Sequence, residues 1–142
     1  MDYFLIAEIN LVLQVVIMAI FVTSYLVKRR GKFLQHGVMM VVGVALSMVS
    51  FLLVMGPSLY SLGISRSLFG NLPFNTSVTV VLHASFGSVA EILSLWIVVS
   101  WRFKLDYQLC AKRKRVMRVT FLLWLTSLLL GTALFAQLYQ II

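Results

Sequence analysis

The chain has 142 residues, 61% of them hydrophobic and 11% charged, with a net charge of +8 and a mean hydropathy of +1.01. A soluble domain carries about 25% charged residues, so this composition excludes one and indicates an integral membrane protein, a single domain over residues 1–142. The basic residues fall in two clusters, 28–32 and 102–118, with Arg66 apart from both; set between apolar runs, these read as cytoplasmic loops obeying the positive-inside rule, not as a nucleic-acid surface.

The first span is expected over residues 3–27. It lacks a basic n-region and a small-residue cleavage site, so it reads as a retained helix rather than a signal peptide. Glu8 is expected among the outer headgroups. Asn10 and Gln14 lie one turn apart on one face, placed for interhelical hydrogen bonds. The short loop at 28–32 makes the second span, 33–55, an antiparallel neighbour. There His36, Met40, Gly43, Ser47 and Ser50 recur at helical spacing and form one stripe, the packing face, since small residues let another backbone approach. Gly56-Pro57 is expected to end this helix. The outer loop, 56–75, offers Tyr60, Phe69 and Phe74 as interfacial anchors and a surface helix over 58–68. Thr76 is expected to cap the third span, 76–103. Within it His83, Gly87, Ala90 and Ser94 repeat the stripe, and Glu91 flanks it. The second and third spans are expected to pack through Gly43, Ser47, Gly87 and Ser94. A basic segment, 104–115, is expected at the membrane surface. The fourth span, 116–139, is Leu-rich and marked by Trp124, Gly131 and Tyr139, with Gly131 a further packing position. The expected architecture is all-α: an integral membrane four-helix bundle of up-down topology in the cell membrane, with both termini on the outer side.

The residues that could carry chemistry are few. Cys110 stands alone, so neither an intramolecular disulfide nor a pairwise cysteine metal site can form. His36 and His83 are the only histidines, one near the cytoplasmic end of its span and one near the outer end. At 1.5 Å per residue they differ by roughly 20 Å in depth, so one haem cannot take both. A haem b could use His83 alone, His36 with Met40, or histidines of two subunits. Met39, Met40, Met48 and Met55 could suggest copper, but methionine is an ordinary apolar filler, and no metal site is assigned. Glu91 is one of four carboxylates, and an ionisable group inside a span marks function by default. It reads either as a neutral carboxyl hydrogen-bonded to Ser47, at similar depth, or as a proton- or cation-handling group. His83 stands about 12 Å away along the same helix. Phosphate-binding glycine loops, nucleophile elbows and HExxH motifs do not occur, so no catalytic residue is assigned.

Thr120, Trp124, Leu125, Gly131 and Tyr139 stand as T-x-x-x-W-L-x(5)-G-x(7)-Y, and His36, Met40, Leu46 and Ser47 as H-x-x-x-M-x(5)-L-S. In these motifs, over spans two to four, the chain resembles the YozB-like group of small four-span membrane proteins, some of them connected with maturation of haem–copper terminal oxidases. The resemblance implies a four-helix bundle and directs interest to His36 and His83. It implies a non-enzymatic accessory protein of the respiratory membrane, in contact with lipid and with another membrane protein or further copies of itself. Arg113 stands where the group has a histidine before span four. A small haem-binding electron carrier and a structural subunit of a larger complex are the alternatives.

Overall fold

The computed structural model describes residues 3–57, 60, 74–101 and 112–139. Four helices account for nearly all of them. α1 is Tyr3–Arg29, α2 is Phe33–Ser50 running on into a π-helical turn, Phe51–Met55, α3 is Phe74–Trp101 and α4 is Lys114–Leu138. Each contains a stretch long and apolar enough to cross a membrane, and the chain is a multi-pass membrane bundle. Leu52, Leu53, Val12 and Ile92 are more than 60% exposed, as lipid-facing side chains should be.

α1 stops in a Schellman turn. Lys32 N–H bonds Val27 O at 3.3 Å and Gly31 N–H bonds Lys28 O at 3.0 Å, which satisfies the last carbonyls of the helix. Gly31 has φ +77°, a conformation that costs a side-chain-bearing residue and is free to glycine. The turn folds α2 back along α1. Interhelical bonds from Gln14 to Ser50 and from Ser24 to His36 fix the antiparallel register.

The helices close a ring in the order α1, α2, α3, α4. The larger contacts are within the hairpins α1–α2 and α3–α4; α2–α3 and α1–α4 touch less. This revises the expected packing of the second and third spans. A side chain at Gly43 would run into Phe21 of α1, and one at Gly87 would come within 3.0 Å of Ser127 Oγ of α4. The two small-residue stripes therefore serve the hairpin partners. Across α2–α3 only Ser47 of the expected set makes a hydrogen bond, to Glu91. The close approach there is at Gly37, which lies under the Trp101 indole.

Two helix ends also differ from expectation. Gly56 and Pro57 remain helical. The π turn puts Gly56 N–H on Phe51 O, five residues back, so the bonding has already slipped before proline, which has no N–H to give. Thr76 is not a cap; it lies in the first turn of α3 and is buried. Tyr60 and Phe74 are over 70% exposed, in keeping with interfacial anchoring. All but Tyr60 of the expected surface helix at 58–68, Phe69, and most of the basic segment 104–115 fall outside the described residues.

The interior is more polar than the exterior. Ser24, Ser47, Ser50, Ser77, Ser94, Thr120 and Ser127 are buried beside Ile17, Phe21, Val44, Ala90 and Trp124. Lipid is as apolar as leucine, so helices in a membrane gain little by hiding aliphatic side chains and associate through close backbone approach and interhelical hydrogen bonds. Hydroxyls that do face outward bond their own helix: Thr23 to Ala19 O, Thr126 to Leu122 O and Thr132 to Leu128 O, at 2.7–2.9 Å. These three donors are thereby not left bare in hydrocarbon.

Candidate functional site

A cavity of about 380 Å³ opens between the four helices in the half of the bundle away from the basic clusters. Ile6 and Ala7 of α1, Val54 and Met55 of the π turn, Val80 of α3 and Phe135 of α4 surround its upper part. Deeper, Gln14, Ser47, His83, Glu91 and Ser127 bring in polar atoms. Trp124 belongs both to this lining and to the core cluster of Ile17, Phe21, Val44 and Ala90. Its ring meets Phe21 edge-on, with centroids 5.3 Å apart at 87°. The cluster thus adjoins the cavity at Trp124.

Glu91 is 6% exposed. Ser47 Oγ lies 2.9 Å from both of its carboxyl oxygens, the partner that depth alone suggested. Ser47 Oγ also lies 2.8 Å from Val44 O. A hydroxyl has one hydrogen to give. The set closes when a neutral Glu91 donates to Ser47 and Ser47 donates to Val44 O. No salt bridge or further donor meets this carboxyl among the described residues, and no lysine or arginine lines the cavity.

His83 is fixed from α4. Its Nδ1 lies 2.8 Å from Ser127 O, so Nδ1 carries the hydrogen and Nε2 is left as an acceptor. Its ring edge rests against Gly131, where a side chain would come within 2.8 Å of Cε1. Gly131 thus makes the seat for His83, and Ser127, one turn before it, supplies the carbonyl. Nearby, Gln14 donates to Ser50 at 2.9 Å and Ser50 to Asn10 at 2.5 Å, the interhelical use expected for Asn10 and Gln14.

The other expected site residues lie elsewhere. His36 is at the basic end, with Nδ1 3.0 Å from Ser24 O while Ser24 Oγ donates back to His36 O at 3.0 Å. This reciprocal pairing locks α1 to α2 as His83 and Ser127 lock α3 to α4. Met40 packs against the core cluster. Neither His36 nor Met40 lines the cavity, and Ser94 is buried without lining it. His36 and His83 therefore do not converge on one haem in this cavity, and of the two histidines His83 lines it. Among the described residues no three His, Cys, Asp or Glu side chains cluster to hold a metal ion. Arg113 stacks over the Trp96 ring at 5.0 Å and bonds Ser100, which ties the start of α4 to the end of α3.

Two residues central to this arrangement, Ser24 and Ser127, were not singled out by the sequence. Ser127 carried a signal, since it stands four residues from Gly131 in a small-x-x-x-small pair; Ser24 carried none. No family model matches the chain, and neither a curated protein nor a solved structure is significantly similar to it.

Proposed function

We propose that the protein is a non-enzymatic membrane accessory protein that holds a small molecule inside its bundle and serves a larger membrane complex, a respiratory haem–copper oxidase during assembly or cofactor insertion. The observation that carries the holding role is the cavity walled by all four helices, with His83 and Glu91 on its lining. Its volume lies in the range of small-molecule sites, roughly 300–1,000 Å³. The polar groups are spread along the wall and each is committed to a neighbouring helix: Glu91 to Ser47, His83 to Ser127. Such a wall orients and retains a guest; it does not pair a nucleophile with a base, which catalysis by covalent attack requires. The respiratory setting rests on the resemblance of the span-two and span-four motifs, and the exposed apolar belt leaves ample surface for a membrane partner.

The test is deletion of the gene, followed by a haem absorption spectrum of the membranes and measurement of assembled oxidase. The expected outcome is loss of at least half of the assembled oxidase with its haem signal, restored by the wild-type chain. Unchanged oxidase in the deletion strain overturns the respiratory assignment, and co-purification with a different complex would make the protein a structural subunit of that complex instead.

A further inference from the structure

We infer that the cavity is a binding site for a hydrophobic organic cation, seated with its charge against the Glu91 carboxyl. This rests on the reading of the cavity as a holding site and is independent of the respiratory setting. Three observations carry it. First, among the described residues Glu91 is the only acidic side chain on the lining, and no basic side chain accompanies it there. An ionised carboxylate at that depth would need a positive partner, and the protein provides none among the described residues. Second, His83 and Glu91 place acceptors on the lining. His83 gives its hydrogen to Ser127 O, which leaves Nε2 an acceptor, and Ser47 has one hydrogen for either Glu91 or Val44 O. The Trp124 N–H, the unpartnered buried donor of this region, has no exposed surface. A cation suits these acceptors. Third, the remainder of the lining is apolar and aromatic, with Phe51, Trp124, Phe135 and Tyr139. Such walls bury a hydrophobic body, and ring faces attract a cation.

Occupancy requires a proton exchange. In the empty cavity Glu91 is neutral and donates to Ser47. On binding, its proton leaves to water, Ser47 turns its hydrogen to the carboxylate, and the cation supplies the charge balance. Among the described residues, the titratable groups on the lining are Glu91, His83 on the same helix and Tyr139 after α4; α1 and α2 contribute none, and no charged group of these helices faces Glu91.

The experiment uses the full chain in detergent micelles with benzyltrimethylammonium as probe, by titration calorimetry in two buffers of different ionisation enthalpy. The expected result is saturable binding with about one proton released per cation bound. Affinity should rise about tenfold per pH unit while Glu91 stays protonated, the slope that one-proton linkage demands. Glu91→Gln should weaken binding at least tenfold and abolish the proton release. Because that variant could fail to fold, the proton count and pH slope of the wild-type chain stand as the second measurement. Absence of saturable binding, or binding without proton release at a pH-independent affinity, overturns the proposal. If the probe does not bind while the deletion strain still loses its oxidase, the ligand class falls and the accessory role stands. If the probe binds with proton release and the oxidase is unaffected by deletion, the reverse holds.

Discussion

Ser47 and Glu91 depend on each other unequally. Without Glu91, Ser47 still bonds Val44 O at 2.8 Å. Without Ser47, the Glu91 carboxyl has no hydrogen-bond partner among the described residues. A buried polar group stripped of its partner costs about 1–3 kcal/mol, whereas replacing both partners by apolar groups of similar shape is nearly neutral. Ser47→Ala should therefore destabilise the bundle by about 1–3 kcal/mol, and Glu91→Met, which keeps the volume, by less than about 1 kcal/mol. The double variant should be no worse than Ser47→Ala alone. Reversible unfolding in mixed micelles measures all three. Equal costs for the two single variants would show that Glu91 has another partner. The same asymmetry explains what the sequence disclosed here. Depth counted along two helices was enough to pair Glu91 with Ser47, because both lie on long regular spans. The single hydroxyl hydrogen shared among three acceptors could emerge only from the distances.

At the scale of the element, glycine placement decides which helices join most closely. A side chain at Gly43 meets the Phe21 ring, and Phe21 is 5% exposed within the core cluster, so it cannot swing aside. At Gly131 the obstacle is the His83 imidazole, already held by Ser127. At Gly87 it is a serine hydroxyl at 3.0 Å, which can yield by a few tenths of an ångström. Overpacking costs typically about 1–3 kcal/mol, while alanine in a helix gains up to about 1 kcal/mol over glycine. Gly43→Ala and Gly131→Ala should each destabilise by about 1–3 kcal/mol, and Gly87→Ala should fall within about 1 kcal/mol of the wild type; midpoints of unfolding in the same micelles would rank them. A Gly87→Ala cost as large as that of Gly43→Ala would overturn the packing described. The helices themselves were legible from hydropathy, and their small-residue faces from four-three spacing. Which helix each face meets was not. A stripe of glycine and serine says that a backbone comes close, and both hairpin and crossing partners satisfy that requirement equally until the ring is closed in space. Gly37 escaped notice for the same reason, since only the fold sets the Trp101 indole over it.

Taken whole, the molecule is polarised. The basic residues 28–32 and 112–118 gather at one end, where Lys28 reaches Met117 and Arg113 binds back to α3. The cavity lies toward the other end, with the Phe21–Trp124 contact beneath it. The side of the membrane that the cavity half faces bears on where a guest comes from. Lysine and arginine in short loops stay on the cytoplasmic side, which predicts that the cavity half lies toward the outer face. The lone cysteine makes this testable without a tag. Cys110 stands within the basic stretch 102–118, and a membrane-impermeant maleimide should label it only after the cells are permeabilised. In a Cys110→Ser background, Tyr60→Cys replaces a side chain that is 71% exposed beyond the end of α2 and should be labelled in intact cells. The opposite pattern would invert the bundle and place the cavity half toward the cytoplasm. Cation uptake would then draw on the cell interior, with the Glu91 proton released there as well.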